Sequence, residues 1–257
     1  KALGVGGAKP LSLTLSAFIE EGLEVEVLDR IVASLAAAAR EAGVQVKAGD
    51  TKVLRRGEGG GIYLATTGVG VRLPGVKPSI HNIRDGDVAL ISGSVGDHGT
   101  AVMLAREEFG LHGELRSDAA SVLPLTQAVL DISGLRFMRD PTRGGIATTL
   151  KEIAIQSEVE ITLQETSLPV DPTVAGACAI LGLDPLFVAN EGKLLAFVAP
   201  DAAEQALAIM HNHEFGKRAA VIGEVTSANK GKVRLQTAIG GLRAIEMLAG
   251  EQLPRIC

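Results

Sequence analysis

Apolar and small polar residues alternate across residues 9–20, with Leu11, Leu13 and Leu15 on one side, so this stretch predicts a strand with one wet face. The strand gives way at Glu21-Gly22. Across residues 24–42 the period changes, and Val27, Leu28, Ile31, Leu35 and Ala38 or Ala39 recur at helical spacing until Gly43 stops the run. A strand over residues 44–47 then leads into Gly49-Asp50-Thr51-Lys52-Val53. The polar, Gly-rich residues 55–61 predict a hairpin turn into a strand over residues 62–71.

Pro74, Pro78 and Gly86 mark residues 73–87 as a linker, and the domain boundary is expected there: residues 1–80, residues 81–245 and a flexible tail, 246–257. Beyond it, strands are expected at 88–92, 135–138, 160–164, 194–198, 219–225 and 232–235. Helices are expected at 97–109, 121–130, 145–157, 172–181 and 202–211. Strands and helices mix without a clean repeat, which predicts an α/β or α+β fold.

Composition narrows the function. Of 257 residues, 46% are hydrophobic and 21% charged, enough apolar surface for a sizeable core. The net charge of −5 argues against general binding to nucleic acid or anionic lipid, because both need a basic face. The absence of Trp, with one Tyr and six Phe, removes a stacking platform for single strands. The best apolar run, residues 31–39, lies between Arg30 and Arg40 and is too short for a membrane span. Two cysteines, Cys178 and Cys257, cannot build a disulfide framework, so the reducing cytoplasm is the expected compartment. The start, Lys1-Ala2-Leu3-Gly4, resembles no signal peptide and reads as a point partway into a longer protein.

Four segments concentrate Gly beside charge: Gly49–Lys52, Ser92–Gly99, Arg139–Gly145 and Asn190–Lys193. Each adjoins an expected strand, so each is expected on a strand-end loop. Glycines that free backbone N–H groups near a helix start suit phosphate, and a neighbouring carboxylate suits Mg²⁺. Asp97 reads as such a ligand or as the N-cap of a helix beginning at His98. Asp140 reads as a metal ligand or as the partner of Arg143 in an ion pair. Lys52 and Glu191 read as an acid/base pair or as solvated charges. His211 and His213 read as a helix end, and Cys178 as a core residue. Cys257 ends a Gly- and Pro-containing extension, which has the reach of a covalent carrier arm or is a frayed terminus.

These residues carry a resemblance. Leu253-Pro254-Arg255-Ile256-Cys257 together with Gly49-Asp50-Thr51-Lys52-Val53, Gly96-Asp97-His98-Gly99, Arg139–Gly145 and Ala189–Leu194 resembles the HypE family of hydrogenase-maturation carbamoyl dehydratases. The Gly/Asp loops are shared with aminoimidazole ribonucleotide synthetase, selenophosphate synthetase and thiamine-monophosphate kinase. The resemblance implies a two-domain AIR-synthase-like fold whose N-terminal domain is incomplete here, since the family's Gly-rich start, Asp-Ser and Asn-Asp segments precede Lys1. It implies a homodimer formed through the N-terminal sheet. It further implies that a partner carbamoyltransferase loads Cys257, that ATP drives dehydration of the carboxamide to a thiocyanate, and that iron-carrying scaffold proteins accept the cyanide. By the same resemblance Glu191 is the base and Lys52 stabilises charge near Cys257. Asp50, Thr51, Gly96, Asp97 and Asn190 contact ATP, and Asp140 with Asp50 holds Mg²⁺; Arg143 is expected as a phosphate contact by its charge and position alone. Two other functions compete: a small-molecule synthetase or kinase of the same superfamily, and a binding module without chemistry.

Overall fold

The computed structural model describes residues 2–75, 78–106, 113–248 and Gly250. The chain divides into a smaller unit, Gly7–Gly75, and a larger unit made of the residues on either side of it.

In the smaller unit, β1 (Ala8–Glu20) is the long alternating segment, and α2 (Val25–Glu41) the amphipathic one. They lead to β2 (Gln45–Leu54), which pairs parallel to β1, so β1, α2 and β2 form a crossover unit. Strand β3 (Ile62–Arg72) pairs antiparallel to the other side of β1, giving the order β2-β1-β3. Two expectations are corrected here. Residues 55–61 are not a hairpin turn, because β1 lies between the strands they join. Instead the turn crosses the end of β1, where the Glu20 carboxylate accepts from Gly57 N at 2.5 Å and Gly61 N at 2.9 Å. These two backbone donors, Gly57 first, hold the Glu20 carboxyl below its ordinary value. Nor is Gly49–Lys52 a loop: pairing with Leu15–Phe18 keeps it inside β2 despite the weak strand propensity of Gly and Asp.

The larger unit is built on a seven-stranded sheet in the order β10-β9-β6-β8-β4-β7-β5. Its strands are β4 (Val88–Ile91), β5 (Leu135–Arg139), β6 (Glu160–Gln164), β7 (Leu195–Val198), β8 (Ala220–Thr226), β9 (Val233–Gln236) and β10 (Leu242–Ile245). Every neighbouring pair is antiparallel except β6 and β9. Helix α5 (Gly145–Ser157) lies over one face. Its Ile146, Leu150 and Ile153 join Ile91, Ile161, Leu163, Phe197 and Ile222 in a core from which water is excluded. By strand alternation Leu90, Ala196 and Met138 point to the other face and are buried as well. Helices α1 (Ala2–Val5), α3 (Asp97–Ala105), α4 (Leu123–Val129), α6 (Pro172–Leu181) and α7 (Ala203–His211) complete the unit. Cys178 sits in the core between Val174 and Val188, and burial, then the Asp184 charge, pushes its thiol up to about 11. His211 ends α7, as its position predicted. Among the described residues, no helix is long and apolar enough to cross a membrane.

Candidate functional site

Three of the Gly/Asp segments meet in the larger unit, and one buried side chain joins them. Asn190, 1% exposed, accepts from Gly96 N at 2.8 Å and donates through Nδ2 to Pro141 O at 3.0 Å and Val188 O at 3.3 Å. A buried amide with both ends satisfied is a strong positional constraint, because any shift leaves a polar atom unpaired. Asn190 thus latches the loop after β4 and the loop after β5 to its own loop before β7.

The backbone explains why glycine stands where it does. Gly96 takes a left-handed φ of 84° and ends the β4 loop so that α3 begins at Asp97. Asp97 is therefore the first helical residue and no N-cap; its carboxylate serves other partners. Gly145 opens α5 with φ 61°, and a Cβ there would come within 2.3 Å of Leu186 O. The α5 N-terminus can thus press against residues 186–188, with Thr142 and Arg143 just ahead of it. Its free N–H groups and helix dipole favour an anion at that end.

Charge is arranged around Lys193. Its Nζ lies 3.2 Å from Asp97 Oδ2 and 3.2 Å from Asp118 Oδ2, and all three side chains are about nine-tenths buried. Ser94 Oγ donates to the same Asp97 Oδ2. Asp97 Oδ1 and Asp118 Oδ2 receive no well-directed hydrogen bond, so Lys193 serves both carboxylates as a near-central charge. The other oxygen of Asp118 accepts from Glu191 N at 3.0 Å. Ser92, Ser94, Asp118, Lys193, Lys217 and Arg218 line a cavity of about 280 Å³ beside this cluster. His98 Nδ1 lies 2.7 Å from Ser117 Oγ, fixing the ring outside the cluster.

Asp140 follows β5 and is half-buried, and its carboxylate has no hydrogen-bond or ion-pair partner among the described residues. Arg143 is exposed, and no ion pair joins it to Asp140. Among the described residues no three His, Cys, Asp or Glu side chains converge as a metal cage. A free carboxylate without a cage suits a hard cation that takes its remaining oxygens from phosphate and water.

The remaining expected residues lie elsewhere. Asp50, Thr51 and Lys52 are exposed on β2 of the smaller unit. Alternation sends Asp50, opposite Ser16, and Lys52, opposite Phe18, to one face and Thr51 to the other. The Thr51 face is the one α2 covers, since Val27, Ile31 and Leu35 of α2 and Leu64 of β3 line one groove there. Cys257 lies outside the described residues. Asp118 and the role of Lys193 escaped sequence reasoning: Asp118 sits in an irregular stretch with no periodic signal, 73 residues from the loop it contacts.

The chain matches the profile of AIR synthase related protein, N-terminal domain, over residues 3–72 and that of the C-terminal domain over residues 84–236. It is 48% identical to carbamoyl dehydratase HypE of Cupriavidus necator, covering 99% of this chain and 73% of that relative. With the Escherichia coli K12 carbamoyl dehydratase HypE the identity is 44%, over 99% of this chain and 75% of the relative. A crystal structure of hydrogenase maturation protein HypE in complex with ATP superposes with a TM-score of 0.94 at 44% identity, covering 100% of this chain and 78% of that one. HypE in a HypE–HypF complex superposes at 0.90 with 46% identity, covering 94% and 79%. Thiamine-monophosphate kinase of Aquifex aeolicus, at 19% identity and 0.69 over 91% and 76%, shares the fold alone. With a PurM-like, AIR-synthase-related fold across both units and such identity along its length, the chain belongs to the HypE family of carbamoyl dehydratases.

Proposed function

We propose that this chain dehydrates a carboxamide carried on the Cys257 thiol to a thiocyanate at the expense of ATP, and so supplies cyanide to the iron of [NiFe]-hydrogenase. The observation that carries the reading is the 48% identity, over 99% of the chain, to a carbamoyl dehydratase. The related HypE bound to ATP supports ATP as the phosphoryl donor, and the HypE–HypF complex supports a carbamoyltransferase partner that loads the thiol.

The carboxamide oxygen attacks the γ-phosphorus, ADP leaves, and one nitrogen proton departs, giving an O-phosphorylated imidate on sulfur. Loss of the second nitrogen proton expels phosphate and leaves S–C≡N. Glu191 takes the nitrogen protons, and Lys52 offsets negative charge near the modified sulfur. The backbone N–H groups at the α5 N-terminus, with Arg143, and those at the α3 N-terminus beyond Gly96, whose loop Asn190 latches, receive phosphate oxygens. Asp140 would hold Mg²⁺, which when bound neutralises charge on the phosphates.

The partners read the same way. The sheet of the smaller unit leaves Phe18, Tyr63 and Val69 at 41%, 58% and 55% exposure on the face that also carries Asp50 and Lys52, and these apolar side chains support homodimer formation. Iron-carrying scaffold proteins accept the cyanide, and the whole sequence runs in the cytoplasm. Mass spectrometry of the carbamoylated protein tests the reading: MgATP should remove one water from the C-terminal peptide. No loss, or full turnover of a chain lacking Cys257, would overturn it.

A further inference from the structure

Glu191 has to hold its carboxylate at a fixed place to take a proton, yet it stands in a short loop between Asn190 and Gly192. Regular structure does not fix that loop. Asn190 anchors its start. Its other anchor is Asp118, whose Oδ1 accepts from the Glu191 backbone N–H at 3.0 Å while its side chain is only 5% exposed.

Two further contacts make this a clamp. A Cβ on Gly192 would fall 1.7 Å from Asp118 O, so the loop lies directly against the Asp118 backbone and only glycine fits. Lys193 closes the other side, bridging Asp118 to Asp97 at 3.2 Å each, and its stem packs 3.4 Å from where a Gly93 Cβ would stand. Asp118 therefore holds three consecutive residues: Glu191 by its carboxylate, Gly192 by its backbone and Lys193 by charge. A buried carboxylate is costly unless several donors face it, so the clamp opposes displacement of the loop strongly.

We propose that Asp118 is a positioning residue for the dehydration step, fixing the backbone from which Glu191 reaches the carboxamide nitrogen; this rests on the reading of Glu191 as the base. The Asp118 carboxylate is engaged by the Glu191 N–H and by Lys193. Its action is on the reach and angle of the Glu191 side chain, where a displacement near 1 Å costs about a hundredfold in rate.

The test compares Asp118→Ala, Asp118→Asn and Glu191→Gln in the full chain loaded with carboxamide. Asp118→Ala should lower kcat by about tenfold to a hundredfold with a much smaller change in KM for ATP, because the base is displaced while Lys193 keeps Asp97 as its partner. Asp118→Asn keeps an oxygen for the Glu191 N–H and should return kcat to within about threefold of the parent. Hydrogen exchange at the Glu191 amide should quicken in Asp118→Ala and stay slow in Asp118→Asn. Unchanged kcat per folded molecule in Asp118→Ala, with Glu191→Gln inactive, would overturn the inference alone. If Asp118→Ala does not fold, failure of Asp118→Asn to protect the Glu191 amide overturns it instead. Parental turnover in Glu191→Gln would instead strike the base reading beneath it.

Discussion

Helices α2 and α5 sit in the two units and solve opposite problems. The 17-residue α2 buries none of its residues fully, whereas eight of the 13 residues in α5 are buried. The sheets differ in the same sense. All of β2 but Leu54 is exposed, while all four residues of β7 are buried. The larger unit is thus held by volume, and the smaller one chiefly by its backbone ladder and one helix stripe. A side chain in the first is constrained by its neighbours; in the second it is constrained by register.

Glycine substitutions break this comparison most sharply. Gly192→Ala puts a methyl into Asp118 O and should cost about 4 kcal/mol or more, or prevent folding, as read by chemical denaturation. Gly43→Ala in the smaller unit meets nothing within 4 Å and carries only the strain of φ +64°, about 1–2 kcal/mol. Equal losses would mean that packing is alike in the two units. Truncating apolar side chains comes next. Phe197→Ala removes a fully buried ring and should destabilise by about 3–5 kcal/mol, against about 1 kcal/mol for half-buried Leu35→Ala on α2.

The smallest effect is the turn at Glu20. Its folded carboxyl titrates below the ordinary glutamate value, so its contribution is complete above that ordinary value and is lost as pH falls through the lower folded one. Glu20→Gln should flatten this acid limb, seen as earlier exchange of the Gly57 and Gly61 amides at neutral pH and no further change below pH 4.5. Persistence of the limb in Glu20→Gln would assign it to another carboxylate.

Much of this architecture was legible because burial writes itself as a period. The strand of Leu11, Leu13 and Leu15 and the helix at Gly145–Ser157 follow from alternation and from the paired glycines that open the helix. Pairing order was not legible. Nothing local tells residues 55–61 that β1 lies between the strands they connect, nor tells Gly49–Lys52 that the β1 backbone will hold it straight. The site divides likewise. Asn190 and Gly96 could be found because they stand in Gly-rich segments, but Asp118 acts across 73 residues from a stretch of no period. Thr51 stood in the right segment, yet alternation alone sends it to the face opposite Asp50 and Lys52.

The Asn190 latch has a bearing on how this protein ages. Its amide must present an oxygen to Gly96 N and an NH₂ to two carbonyls, so its two ends are not interchangeable. Deamidation would exchange that NH₂ for a negatively charged oxygen and set it against Pro141 O and Val188 O. One spontaneous reaction, altering the mass by the difference between two small groups, would turn two attractions into repulsions and release three loops together. The same geometry slows that reaction, because the Glu191 nitrogen that would have to attack the Asn190 amide is held by Asp118.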